Sequence, residues 1–357
     1  MMKKLIYIAP DYFPEKKANS IHVENQVNAL AKQGVLVHLI YKSFSGQKSS
    51  MLHEDVIELP VKIANRKYSN IKFLIALIRR KRFLLSTPIL TRSRLSICLT
   101  LLPFSSTQMI FEAHEPLNRL WLKALIKRNS IPVLAISAAL KRIIGRELNS
   151  SEKIFVLHDG SNLVNFDDVR AEIKIKPKAI YVGSTGRGRG IEWILKLAEN
   201  FTDLDFHVVG TIDETFKEVG TGYSNVIFHG WKSKSAILSL VKNADILLAP
   251  YQNDLRLDNG LNTLNFMSPL KIFEYMSFNV PMVVSNYPVI REVLVDKVDA
   301  LLVQSDDFEQ WANAIQSIKS NPDLARTLSQ NARDKLKREY TWEKRAEAIV
   351  NLFEWKK

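Results

Sequence analysis

The sequence predicts an α/β protein made of two doubly wound parallel-sheet domains, on three observations. Its 357 residues exceed what a single hydrophobic core usually supports. Short apolar runs alternate with helical periodicity along the chain, the pattern of parallel strands covered on both faces. The alternation breaks once, over 161–178 (SNLVNFDDVRAEIKIKPK), where the period is lost and the charges are mixed. Residues 1–170 and 171–340 therefore read as two domains, and 341–357 as a closing amphipathic helix.

In the first domain, 4–10 (KLIYIAP) reads as a strand and 20–33 as a helix stopped by Gly34, with Asn19 or Ser20 as its cap. Strands are predicted at 35–42, 89–92, 108–113, 132–136 and 154–158, and helices near 69–84, 116–128 and 138–148. In the second domain the strands are 179–183, 204–210, 225–228, 244–249, 281–285 and 299–303. Its helices fall near 190–200, 233–242, 270–278, 288–295, 306–319 and 322–338. Ligands of such sheets bind beyond the carboxyl ends of the strands, and two such edges facing each other make a cleft.

Composition narrows the function classes. Apolar residues make up 46% and charged residues 24%, as in ordinary soluble domains. The single cysteine, Cys98, excludes an intrachain disulfide and a cysteine metal site, and suits a reducing compartment. The start MMKKLIYIAP runs into Pro10 and Pro14 too soon for a signal peptide. No stretch offers the roughly 18 uninterrupted apolar residues of a membrane span. A cytoplasmic protein is expected, with at most peripheral membrane contact on the inner face.

The net charge of +13 is unevenly placed. Residues 1–170 hold 26 Lys and Arg against 13 Asp and Glu, and the remainder holds 24 against 24. Between Glu58 and Glu112 there is no acid. Over 62–94, basic residues from Lys62 to Arg94 alternate with apolar ones such as Phe73, Ile75, Leu77 and Ile78. This pattern predicts an anionic membrane surface as a partner, through an amphipathic basic helix. The bland reading is that the apolar residues pack on the sheet while the arginines face water. Helix-turn-helix, RRM and zinc-finger signatures are missing, which argues against nucleic acid as the partner.

Three segments carry candidate chemistry. Gly183-Ser184-Thr185-Gly186-Arg187-Gly188-Arg189-Gly190 follows a predicted strand and opens a helix. Glycines there let backbone N–H groups approach an anion, and Arg187 and Arg189 suit phosphate oxygens; a plain glycine turn with solvated arginines is the alternative. The Lys-Ser/Thr pair of a P-loop is missing, and the first βα turn lacks the glycines of a dinucleotide fingerprint. The second segment is Ser268-Pro269-Leu270-Lys271, a capped helix start, with Glu274 one turn further on. It suits phosphate at Lys271 and a ribose at Glu274, or else carries an ordinary i,i+3 salt bridge. The third places His114 at the carboxyl end of a strand (FEAHEP), where it would face a ligand.

Taken in order, IAPDYFPEKKANSIHVENQ, IFEAHEP, HDGSNLVNF, YVGSTGRGRGIEWIL, SPLKIFEYMSFNVPMVVSN and TWEKRAEAIVNLFE resemble glycosyltransferase family 4, retaining enzymes of the GT-B fold. The resemblance implies two Rossmann-like domains, a nucleotide diphosphate sugar as donor, and a glycan or lipid-linked acceptor in polysaccharide synthesis. It implies that Arg189 meets the donor diphosphate, with Gly183, Ser184, Ser268, Pro269 and Leu270 around it. Ser184 stands where the family often has an arginine, so Arg187 or Lys271 would supply that charge. Glu274 matches the second glutamate of the E-x7-E motif, which holds the ribose, while Phe266 replaces the first. His114 matches the active-site histidine near the donor sugar, and Asn19 and Ser20 lie in the N-terminal loop on the acceptor side. The closing helix is implied to return to the first domain. Because basic groups can carry the charge of the leaving diphosphate, neither a metal nor any other cofactor is expected. A nucleotide-sugar epimerase of the same architecture is the alternative.

Overall fold

The computed structural model describes residues 2–14, 18–44, 49, 51–101, 108–167, 176–213, 215–216, 222–256 and 260–355. Met1–Asp159 and Trp342–Lys357 form one compact unit, and Gly160–Thr341 forms the other.

The first unit holds a seven-stranded parallel sheet. Its strands are β1 (Lys3–Tyr12), β2 (Val35–Ser43), β3 (Val56–Lys62), β4 (Ile89–Thr91), β5 (Met109–Ala113), β6 (Val133–Ala135) and β7 (Ile154–Val156), in the spatial order β3-β2-β1-β4-β5-β6-β7. The order reverses between β1 and β4, where a doubly wound sheet opens its ligand crevice. Helices α1 (Ala18–Lys32), α2 (Ser69–Arg79), α3 (Lys81–Leu84), α4 (Leu120–Arg128) and α5 (Ala138–Leu148) connect the strands.

Strand β3 was not expected. It is the edge strand, with Pro60 and Glu58 in it, so it lacks the continuous apolar run of an interior strand. The expected helix 69–84 breaks at Arg80 into α2 and α3. The helix expected from Asn19 or Ser20 begins earlier, so both residues lie inside the first turn of α1 rather than at its cap.

The second unit holds β8 (Lys178–Val182), β9 (Asp205–Val209), β10 (Val226–Gly230), β11 (Ile246–Ala249), β12 (Met282–Ser285) and β13 (Leu301–Val303), all parallel, in the order β10-β9-β8-β11-β12-β13. Its switch point lies between β8 and β11. Helices α6 (Ile191–Asn200), α7 (Lys234–Val241), α8 (Leu270–Ser277), α9 (Pro288–Arg291), α10 (Phe308–Ser320) and α11 (Pro322–Glu339) cover the sheet. On one face, Ile194, Leu197, Trp311 and Ile315 pack on Phe206, Val208 and Leu248. The chain then returns to the first unit as α12 (Trp342–Asn351), where Trp342, Arg345, Ala346, Ile349 and Val350 form its buried face.

Candidate donor and sugar sites

In the second unit the glycine-rich loop leaves the carboxyl end of β8 and enters α6. Gly188 and Gly190 both have φ of +75°, a region that favours glycine. A Cβ on Gly190 would run into the Pro250 carbonyl, and one on Gly188 would press on the backbone at Asp254 and Leu255. The loop therefore follows the chain after β11 closely, across the switch point. Tyr181 reinforces the turn by donating from its hydroxyl to the Ser184 carbonyl at 2.6 Å.

Lys271, in the first turn of α8, reaches into this turn. Its Nζ is buried without a hydrogen-bond partner, 3.6 Å from the Tyr181 ring centroid and 5.4 Å from that of Tyr251. Desolvation, helped by the charge of Arg189, holds the Lys271 ammonium well below the usual lysine range, while Glu274 acts the other way. Helix α8 is held in place by Tyr275, whose hydroxyl accepts from Val182 N–H at 2.8 Å and donates to the Leu248 carbonyl at 3.1 Å. One side chain thus ties α8 to both strands at the switch point.

The remaining expected residues divide. Ser268 is buried, but Pro269 occupies the cap position and no side chain caps α8; the proline sits one residue earlier than expected, and the Ser268 carbonyl accepts from Leu270 N–H instead. Arg187 is 81% exposed and pairs with Asp254, so its charge is engaged at the surface, while Lys271 feels the charge of Arg189. Glu274 is exposed, and the charges of Lys234 and Lys271 act on its carboxylate. Phe266 is buried as an apolar side chain.

In the first unit His114 directly follows β5 and joins a buried polar cluster. Its Nε2 lies 2.7 Å from Glu112 Oε1. The same oxygen meets His22 Nε2 at 3.0 Å and Arg345 Nη2 at 2.9 Å. His22 Nδ1 lies 3.2 Å from Asp159. Despite full burial, Arg345 and the two histidines keep the Glu112 carboxyl well below its ordinary range. His114 is pushed down to about 4, by burial first and the Arg92 charge second, against the pull of Glu112. Asn19 donates to Asp11 Oδ1 at 3.1 Å, and Ser20 is buried.

His22, Glu112 and His114 are the one group among the described residues with metal-ligand atoms close together, all within 4.8 Å. The Arg345 guanidinium already engages the shared carboxylate oxygen. A cation there would meet a fixed positive charge, so the donor set fits an internal ion-pair network and not a metal.

The basic segment divides by face. Phe73, Leu77 and Leu84 enter the core beside Ile6, Ile8 and Ile40. Tyr68, Ile71, Ile75 and Ile78 are exposed, Ile71 at 59%. Lys62, Arg66, Lys67, Lys72, Arg79, Lys81 and Arg82 are exposed around them. Arg92 and Arg94 do not belong to this surface: Arg92 is buried 3.6 Å from Asp11, and Arg94 pairs with Glu115 at 3.0 Å.

Comparison with known proteins places this architecture. The fold is that of the GT-B glycosyltransferases. A glycosyltransferase from Rickettsia africae superposes with a TM-score of 0.75 at 14% identity, over 98% of this chain and 97% of that one. Anabaena HepE, solved with UDP and glucose, gives 0.70 at 11%, over 98% and 99%. Residues 165–335 match the family glycosyl transferases group 1, a stretch that lies within the second unit.

Among curated proteins, an uncharacterised glycosyltransferase of Methanocaldococcus jannaschii is 23% identical over 64% of this chain and 60% of its own length. The O-antigen chain mannosyltransferase RfbU of Salmonella typhimurium is 28% identical over 57% and 55%. The chain spans about 60% of the length of the first curated relatives it matches.

Proposed function

We propose that the protein is a retaining glycosyltransferase that uses a nucleotide diphosphate sugar without a metal and extends a glycan on a lipid-linked acceptor. The observation that carries this reading is the buried, unpartnered Lys271 ammonium in the turn after β8, close enough to Arg189 for that charge to depress it. A diphosphate would relieve both cations at once. As the donor's glycosidic bond breaks, negative charge grows on the leaving diphosphate, and fixed cations there stabilise the transition state more than the ground state.

In this reading Glu274 holds the ribose hydroxyls and His114 accepts a hydrogen bond from the transferred sugar. The acceptor hydroxyl attacks from the face the diphosphate leaves, which retains the anomeric configuration. The network around Glu112 and the cations at Lys271 and Arg189 support metal independence. HepE was solved with UDP and glucose and RfbU is named for O-antigen chains; both favour a nucleotide sugar and a surface polysaccharide.

The exposed stripe Tyr68, Ile71, Ile75 and Ile78 within a basic surface supports docking on an anionic leaflet, the interface taking the isoleucines and the headgroups the cations. No helix among the described residues is long and apolar enough to cross a membrane. The experiment is a thermal-shift screen of nucleotide sugars, followed by NMR of the product anomer. A stabilising donor giving a retained product supports the reading, and an inverted product removes the retaining mechanism. Epimerised nucleotide sugar formed without an acceptor would identify an epimerase.

A further inference from the structure

The first unit carries an arginine far outside the donor loop that converges on the sugar-site histidine. Arg345, on the closing helix α12, is buried, and its whole fork is used. Its Nε donates to Gln26 Oε1 at 2.7 Å. Its Nη1 donates to the carbonyls of His158, at 2.6 Å, and Leu157. Its Nη2 donates to Glu112 Oε1 at 2.9 Å and lies 3.9 Å from Asp159 Oδ1. A guanidinium fixed at three corners has one orientation, so the carboxylate it holds is fixed too.

We propose that Arg345 is a positioning residue for His114: by neutralising and fixing Glu112 it keeps the His114 ring neutral, with Nε2–H donating to Glu112 and Nδ1 left as an acceptor. The functional meaning of this rests on the reading of His114 given above.

Glu112 is a buried carboxylate on which two histidines converge. A buried anion must be compensated. Without Arg345, Arg92 would be the remaining fixed cation facing the anions Glu112 and Asp159, and the further compensation within reach would be a proton on His22 or His114. With Arg345 in place the anion is already matched, while burial and the Arg92 charge disfavour a second proton on His114. The other groups facing the pair are Tyr7, whose hydroxyl is 3.4 Å from Glu112 Oε2, and Asp159 beyond His22. A neutral imidazole that donates through one nitrogen presents a lone pair on the other. That lone pair is what a sugar hydroxyl needs; an imidazolium offers none.

The test is ¹⁵N NMR of ring nitrogens in histidine-labelled full-length protein, with His114 assigned through H114Q. In wild type His114 should show a protonated Nε2 and an unprotonated Nδ1 from pH 8 to pH 5. In R345M it should take up a second proton within that range. In R345K, which keeps the charge and loses the fork, the Nε2 line should shift and the titration should move upward by a smaller step. If R345M does not fold, R345K decides. A His114 spectrum and titration in R345K identical to wild type overturns the proposal, as does an identical R345M. Sugar transfer by H114Q is scored separately. Full transfer in H114Q, alongside a shifted spectrum in the arginine variants, would remove the assigned role of His114 and leave the positioning intact.

Discussion

The Nζ of Lys271 lies 3.6 Å from the centroid of the Tyr181 ring, and a Cβ on Gly183 would come within 2.8 Å of that nitrogen. The lysine occupies space that only a glycine leaves, beside an aromatic face that partly offsets its lost hydration. The arrangement is costly for stability and useful for binding an anion, and both consequences can be measured.

Lys271→Met should make the unliganded protein more stable at neutral pH, by about 1–3 kcal/mol, the range for relieving an unsatisfied buried polar group. The sign follows from the depressed ammonium. Below its folded pKa the lysine is charged in both states and the cost is full. As pH rises toward the usual lysine range the folded state has already released the proton and the cost fades. The gain in Lys271→Met should therefore shrink with rising pH. Chemical denaturation at two pH values checks this, and a variant less stable than wild type at pH 7 contradicts it.

Two glycine substitutions should separate binding from folding. Gly183→Ala, also at positive φ, carries that backbone strain but meets only side-chain ends, the Lys271 tip and the Tyr181 hydroxyl, which can withdraw, so its stability cost should be the smaller of the two while donor affinity falls. Gly190→Ala meets the Pro250 carbonyl at positive φ, which cannot withdraw, so it should cost about 1–3 kcal/mol or more in stability. Melting curves and donor titrations of the two variants should rank in opposite orders.

His114 should remain neutral over the physiological range, because its titration is pushed down to about 4 from an ordinary 6.5. The sign is that of a histidine that resists charging in the folded state. Stability is unaffected above about 6.5 and declines as pH falls toward about 4, where the unfolded chain binds the extra proton. H114Q should flatten this acid limb. A sugar-transfer rate that falls between pH 7 and pH 6 in wild type but not in H114Q would contradict the assignment.

The isoleucine stripe on α2 should act together with its surrounding cations. Ile71, Ile75 and Ile78 changed to Ser should lower co-sedimentation with anionic vesicles, and Arg79, Lys81 and Arg82 changed to Gln should lower it in a salt-dependent manner, each cation contributing about 1 kcal/mol. Neither set enters the core, so melting should change little. Equal, negligible sedimentation of all three proteins would assign the surface another role.

Much of this was legible in the sequence. Interior strands announce themselves because both faces are buried, and the glycine loop is readable because chemistry and backbone there demand the same residues. The edge strand β3 was hidden because an edge tolerates Pro60 and Glu58. The phase of α2 was hidden because 69–79 is apolar on more than one side, and only the sheet beneath decides that Phe73 goes in while Ile75 stays out. The cluster around His114 joins residues 22, 112, 159 and 345, which no local pattern connects. One signal was available: Arg345 lies on the same helical stripe as Trp342, Ala346 and Ile349, and an arginine on an apolar stripe implies a buried partner. Glu112, inside the otherwise apolar run MIFEA, is that partner.

Calorimetric titration of nucleoside diphosphates tests whether Lys271 and Arg189 form the seat of a donor diphosphate. UDP, GDP and ADP are titrated into wild type, Lys271→Met and Arg189→Ala, with EDTA present throughout. One of the three should bind wild type without metal, and each variant should lose about ten- to a hundredfold in affinity, the worth of a charge-assisted hydrogen bond of about 1.5–3 kcal/mol. A diphosphate that binds both variants as tightly as wild type, or that binds wild type only when Mg²⁺ or Mn²⁺ is restored, contradicts it.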